Sequence, residues 1–237
     1  MTHIPHLAPV DAFAQLGRIK LSETDLNGVF QQVADLARRT VPGADEVSVT
    51  LVQNKDAHTP AFTGDLALAL DESQYDLGLG PCLEAAFSTS TQHIADMTTD
   101  KRWPDWTTQA REAGVHSSLS IGLPVQDAVT GALNVYATKP HAFDEDALAV
   151  ATTFASYAEV AMANAYVYNA QTTLAQHMEI AMRSRAVIEQ AKGIIMRDRR
   201  CSADEAFTVL TKLSQRSNRK LRDVAVALIA RSTAPKR

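Results

Sequence analysis

The chain has 237 residues, 46% of them hydrophobic and 21% charged, enough for one large or two small domains with a real core. Its net charge of −4 divides unevenly: residues 1–169 carry 9 Lys/Arg against 21 Asp/Glu, and residues 170–237 carry 14 against 6, an acidic body ahead of a basic end suited to nucleic acid. No apolar run approaches the roughly 18–20 residues of a bilayer span, Cys82 and Cys201 make no disulfide framework, and the N-terminus lacks a basic-then-apolar secretion signal, so a cytoplasmic protein off the membrane is expected.

Residues 1–21 read as a loose tail with a short helix at 9–17. Residues 26–40 (LNGVFQQVADLARRT) place Leu26, Val29, Phe30, Val33, Leu36 and Ala37 on one helical stripe, ended by Pro42 and Gly43. Residues 46–53 alternate Val47, Val49 and Leu51, a strand signal, and a short strand is expected at 59–63. A helix over 66–74 leads to the turn formers Gly78, Gly80 and Pro81, then to a short apolar segment at 83–87. Residues 92–97 suggest an edge strand and 103–112 a helix ended by Gly114. Residues 117–125 and 130–137 alternate again and pair as a hairpin. From Asp144 a long helical run begins, with acidic residues in its first turn where the helix dipole favours them. This order predicts an α+β domain with a largely antiparallel sheet and flanking helices over residues 22–168.

Val160, Val167, Leu174, Ala181, Ile188 and Ile195 recur every seven residues along that run. A sustained seven-residue repeat implies a left-handed supercoil with a partner helix, so a coiled-coil linker helix (169–183) in a parallel homodimer is expected, with Val160, Val167, Leu174, Ala181 and Ile188 as its seam. Residues 184–231 then read as three amphipathic helices that must close on one another, followed by a basic tail at 232–237. Val187, Ile188, Ala191, Ile194 and Ile195 fall within about 120° on the first helix. Ser202 and Glu205 form an S-x-x-E box that starts the second. Residues 215–218 are a polar break, with Ser217 or Asn218 available to cap the third.

Two resemblances follow from these residues. GLGPCLEAAF, IADMTTDKRWPDW, SLSIGLPV and GALNVYATKPHAFDEDAL resemble a GAF domain. IEQAKGIIM, SADEAF and QRSNRKLRDVA resemble the ANTAR family in order and spacing. Together they cover roughly residues 22–231. The ANTAR resemblance implies a three-helix RNA-binding bundle, a transcription antiterminator that binds paired hairpins of nascent RNA as a dimer. It attaches functional weight to Ala191, Lys192 and Gly193 and to residues 216–222. Candidate RNA contacts are Arg185, Ala191, Lys192, Gly193, Met196, Arg216, Asn218, Arg219, Lys220 and Arg222. Lys and Arg would meet phosphates, and loop bases are the readable part of RNA because the A-form major groove excludes side chains.

Chemistry is otherwise sparse. The seven histidines make no H-E-x-x-H or Cys/His zinc pattern, and no phosphate-cradling or nucleophile-elbow motif occurs; neither enzyme activity nor a cofactor is expected. Asn134, Lys139, Phe143, Asp144 and Glu145 depart in spacing from the signature of cyclic-nucleotide-binding GAF relatives, and F-D-E reads as a helix start. Any ligand of the GAF-like half is left open. Cys82, following Gly80-Pro81, is a candidate redox thiol, and Trp103 with Trp106 a hydrophobic anchor. Two other readings stand: a DNA-binding regulator using the last two helices around residues 214–218, and a ligand or redox sensor acting on a protein partner.

Overall fold

A computed structural model describes residues 6–233; residues 1–5 of the expected tail and residues 234–237 of the basic tail lie outside them. The chain divides into two compact units, residues 1–169 and 170–237. In chain order the elements are α1 (Pro9–Leu16), α2 (Leu26–Thr40), β1 (Glu46–Gln53), β2 (Asp56–Phe62), α3 (Asp65–Leu77), α4 (Pro81–Ser88), β3 (Thr91–Ile94), α5 (Pro104–Glu112), β4 (Ser117–Gln126), β5 (Val129–Ala137), α6 (Glu145–Arg199), α7 (Ala203–Ser217) and α8 (Leu221–Thr233).

The five strands form one antiparallel sheet in the order β2-β1-β5-β4-β3, with the expected β4–β5 hairpin at its centre. Each central strand alternates strictly. Val47, Val49 and Leu51 of β1, Leu119, Ile121 and Leu123 of β4, and Leu133 and Val135 of β5 face the core shared with α1, α2 and the first turns of α6. Successive side chains point to opposite faces of a strand. The intervening residues, Ser48, Thr50, Ser118, Ser120, Asn134 and Tyr136, therefore occupy the second face, and all six are buried. On that side α3 and α5 pack around Trp106 and Tyr136, and α4 packs Cys82 and Leu83 against Val52 and Ala132.

Two elements differ from the sequence expectation. The apolar segment at 83–87 is a helix, α4, because Pro81 occupies its first turn and Gln74 Oε1 accepts the Cys82 N–H at 2.8 Å, satisfying one of the free donors of the helix start. Gly80 permits this: its φ is +152°, and a Cβ there would lie 2.3 Å from that same Gln74 oxygen. The third output helix begins at Leu221, and Asn218 does not cap it. Asn218 instead ends α7 in the left-handed region (φ 48°), with Asn218 N–H bonded to Gln215 O and Arg219 N–H to Ser214 O, a Schellman turn.

The second unit closes the end of α6, α7 and α8 around Ala191, Ile195, Ala206, Leu210, Val224 and Ala225. Alanine on each of three helices leaves little bulk at the crossings and lets their backbones approach. As the repeat across 160–195 leads one to expect, the first output helix is the end of one long helix: it is the last third of α6, whose 55 residues run on across the boundary between the units. The expected capping box is present: Ser202 Oγ accepts the Glu205 N–H, and Glu205 Oε2 accepts the Ser202 N–H at 2.8 Å. Ser202→Ala removes one half of that exchange. It is expected to cost about 1 kcal/mol and to raise amide hydrogen exchange in residues 203–206 of the intact chain, with little change in β4 and β5.

Candidate functional site

Two places concentrate polar chemistry, one in each unit. In the first, the carboxyl of Asp71, carried by α3, reaches the polar face of the sheet. It accepts from Tyr136 Oη at 2.5 Å, Thr59 Oγ1 at 2.8 Å and Asn134 Nδ2 at 3.2 Å. Asn134 Nδ2 also lies 2.9 Å from Thr50 Oγ1 and 3.2 Å from Ser48 Oγ, and Tyr75 Oη bonds Thr50 and Thr59. A single carboxyl thereby ties α3 to β2 and β5, and through Asn134 to β1. Burial away from water disfavours its charge and raises its pKa from 3.8 to about 6, while hydrogen bonds from Ser48, Tyr136, Thr59 and Asn134 pull the other way. Desolvation also drives the Tyr75 and Tyr136 hydroxyls up, with Asp71 adding to it.

Beside this network, Ser118 Oγ, Ser120 Oγ and Asn134 Oδ1 are buried with no hydrogen-bond partner. Ser120 and Asn134 are direct cross-strand partners, as are Ser118 and Tyr136, so the three atoms share one patch. Unmet buried polar atoms cost about 1–3 kcal/mol each. Cys82 borders the same side. Its thiol is fully buried, and desolvation followed by the proximity of Asp71 pushes its pKa well up, which keeps it protonated. The sulfur is neither presented to solvent nor ionised, the two conditions thiol reactivity favours. Asn134 and Lys139 do not converge either, since Asn134 is buried and Lys139 exposed. Asp144 Oδ1 accepts the Ala147 N–H at 2.9 Å, so F-D-E is a helix start as expected. Trp106 is buried with its indole N–H on Leu70 O at 3.2 Å, and Trp103 packs on the same cluster beneath the Arg102 guanidinium. Among the described residues, no group of three or more His, Cys, Asp or Glu could hold a metal ion, and no helix is long and apolar enough to cross a membrane.

In the second unit the candidate contacts separate into three groups. Arg216, Asn218, Arg219, Lys220 and Arg222 are exposed together at the α7–α8 connection. Ser214 holds that connection from both sides, its Oγ donating to Arg219 O at 2.5 Å and its carbonyl accepting the Arg219 N–H. No sequence motif singled Ser214 out; only the turn geometry does. On α6, Arg185 is exposed, whereas the Lys192 side chain is only 17% exposed and lies 3.0 Å from Glu189. Met196 is half-buried against the unit's core, and Ala191 is fully buried within it. Ala191 thus sits in the core, as its place at the centre of the apolar face leads one to expect, and its methyl offers no surface. Gly193 is exposed, and a Cβ there would meet nothing. Glycine inside a helix costs about 1 kcal/mol relative to alanine, and no neighbour within the chain requires it.

Of the seam residues, Val160 (58% exposed), Val167 (42%) and Leu174 (60%) stand in solvent, Ala181 is exposed too, and Ile188 packs against the core of the second unit. The repeat thus serves two purposes along one helix: its first four positions are uncovered and its last two belong to the bundle. Met178 extends the uncovered stripe, with Asn164 and Gln171 interleaved, while Tyr157 at its start stacks on Phe13 of α1 at 4.6 Å.

Comparison with known proteins accords with this division. The profile of the GAF domain matches residues 23–163, and that of the ANTAR domain matches residues 176–229. No curated protein matches the chain. Among solved structures, the phycoerythrobilin-bound GAF domain from a cyanobacterial phytochrome is similar with a TM-score of 0.53 at 14% identity, covering 68% of this chain and 97% of that one. Its phycocyanobilin-bound counterpart gives 0.51 at 14%, again over 68% and 97%. The reduced form of fRMsr of Staphylococcus aureus gives 0.52 at 18%, over 68% and 99%. At these identities the likeness shows the fold alone.

The titration of Asp71 is directly measurable. Its folded pKa, about 6, lies above the ordinary 3.8; the stability this group contributes is complete below about pH 4 and is lost as pH rises through about 6. Asp71→Asn abolishes the titration. From pH 4.5 to 7.5 the stability of the variant relative to the parent, read by urea unfolding, is expected to rise by about 2 kcal/mol. A difference independent of pH would show that Asp71 does not titrate in this window.

Proposed function

The chain belongs to the GAF domain family and carries an ANTAR domain behind that domain, and from this premise we propose that it is a dimeric regulator whose sensor half gates the binding of paired RNA stem-loops. An ANTAR domain implies RNA-binding antitermination regulation, and a GAF domain implies a sensor; both are regulatory modules and not catalytic ones. The observation that carries the reading is where the charge falls. The ANTAR match lies within the half with 14 Lys/Arg against 6 Asp/Glu, and the cations of the α7–α8 connection stand exposed on it. Guanidinium and ammonium groups grouped on one rigid turn suit phosphates, and the small Gly193 surface admits a close backbone approach.

The stripe on α6 supports the dimer. Uncovered Val160, Val167, Leu174 and Ala181 at seven-residue spacing fit the seam of a parallel two-helix coiled coil. Asn164 on the same stripe would set register, as single buried asparagines do in such seams. A dimer presents two output surfaces, which matches a twin-hairpin target and turns the second contact into an intramolecular one. For the sensor half, the unmet atoms of Ser118, Ser120 and Asn134 beside Asp71 favour a small polar ligand. The fold, a cytoplasmic setting and a nascent transcript as target are mutually consistent.

Gel-shift titration of the intact chain with a twin stem-loop RNA tests the first half of the proposal. Arg216→Ala, Lys220→Ala and Arg222→Ala together are expected to weaken binding at least tenfold and to lower the log–log salt slope by about two. A specific preference for duplex DNA over the RNA would overturn the reading in favour of a DNA-binding regulator. For the second half, Val167→Glu with Leu174→Glu should yield a monomer by light scattering, because both side chains are exposed within the chain and the change should leave its fold intact. That variant should keep its affinity for a single stem-loop and lose the advantage of the paired one. A double variant that remains dimeric would remove the seam assignment.

A further inference from the structure

A groove of about 530 Å³ opens between the end of α6, α7 and α8, wholly within the second unit. Its floor is apolar, formed by Ile194, Val209, Leu213 and Leu228, and Leu213 is 41% exposed. Three arginines, Arg199, Arg219 and Arg231, line it from three different segments, and the Arg219 guanidinium also donates to Asp223 O at 3.4 Å. One acid, Asp198, is also present, and Arg197 engages it at 2.8 Å. At about 100° per residue, Ile194 lies roughly 160° around α6 from Lys192, whereas Arg199, seven residues on, returns to the Lys192 side, so the groove meets the Lys192 and Arg185 face at Arg199.

We propose that this groove receives one unstacked base of an RNA loop, with Arg199, Arg219 and Arg231 taking its flanking phosphates and stacking on its plane. The inference rests on the RNA reading above and names the subsite that distinguishes a loop from a duplex. The chemistry selects a nucleotide from its two halves. An apolar floor needs a flat, weakly hydrated surface, and a base supplies one on its open face. The three-arginine rim needs an anion at the mouth, and the phosphates on either side of that base supply it. Guanidinium serves both halves, since it pairs with phosphate in fixed geometry and stacks on planar rings. A base held in a duplex presents no free face to a cleft, so the groove reads only bases that a loop has splayed out. The Schellman turn with its Ser214 clamp fixes the backbone of Arg219 at the edge of the groove.

The test uses the intact chain and a stem-loop RNA selected on it from a random-loop library. Binding is measured by fluorescence anisotropy to that RNA, to copies with one loop nucleotide made abasic, and to a duplex of equal length. Arg199→Gln with Arg231→Gln, and separately Leu213→Ser, are compared with the parent; all three positions are exposed at the surface, and circular dichroism checks that the helices persist. One abasic position is expected to weaken the parent about tenfold. Leu213→Ser should lose a similar factor on the unmodified loop and lose nothing further on the abasic one. The duplex should bind parent and Leu213→Ser alike. If both variants bind the selected loop as the parent does, with the abasic penalty intact, the groove assignment is overturned while the RNA reading stands. Equal losses on loop and duplex would reduce the arginines to phosphate contacts and overturn the base pocket. If selection enriches no RNA that outcompetes the duplex, the RNA reading and the subsite fall together.

Discussion

The carboxyl of Asp71 is the point on which the first unit turns. A five-stranded antiparallel sheet covered by helices on both sides would ordinarily carry apolar residues on both faces. Here the second face carries Ser48, Thr50, Ser118, Ser120, Asn134 and Tyr136, all buried. Buried polar groups need partners, and Asp71 supplies an acceptor to Tyr136, Asn134 and Thr59 at once. Without it the donors on β2 and β5 would lose their shared acceptor. Its own burial is correspondingly costly, which is why its pKa rises despite four favourable hydrogen bonds. The network is therefore satisfied on the Asp71 side and incomplete on the Ser118–Ser120 side.

The second unit solves a different problem. Three short helices cannot bury much, and the bundle compensates with alanines at its crossings and with local closures that do not depend on bulk. The Ser202–Glu205 exchange starts α7, and the Asn218 Schellman turn with Ser214 ends it. These are hydrogen-bond devices, strong in geometry and small in area. They leave Leu213 and the walls of the arginine-lined groove uncovered, and they set five polar and basic side chains on one short connection. A thin core and an exposed basic surface are two consequences of the same small bundle.

Much of this was legible in the residues. The period of 3.6 in residues 26–40 and the period of 2 in residues 46–53, 117–125 and 130–137 placed α2, β1, β4 and β5, because one-sided burial writes its own spacing. The S-x-x-E box placed the start of α7. The misses have physical causes. α4 is too short for its period to declare itself, and it depends on Gln74, a residue eight positions before Cys82 that only the folded turn brings to its N-terminus. Asn218 suits both an N-cap and a left-handed C-terminal residue, and local composition does not choose between them. Ala191 was legible as core, since it is centred on the apolar face of its helix, but Lys192 was not identifiable as covered, since part of its cover comes from Glu189.

By itself the sequence determined the order and type of the main elements, the acidic and basic halves, the sevenfold repeat and the resemblance to GAF and ANTAR domains. All of these are written in spacing, charge and local motif, which neighbours along the chain suffice to define. Only the tertiary structure decided that the polar face of the sheet is buried and not solvated. The alternation in SLSIGL and ALNVYA reads identically in both cases, and the difference lies in whether α3, α4 and α5 close over it. Only the tertiary structure, likewise, gathered Asp71, Thr59, Asn134 and Tyr136 into one network and Arg199, Arg219 and Arg231 around one groove. Long-range hydrogen bonds and convergent side chains are properties of packing, and no periodicity along the chain encodes them.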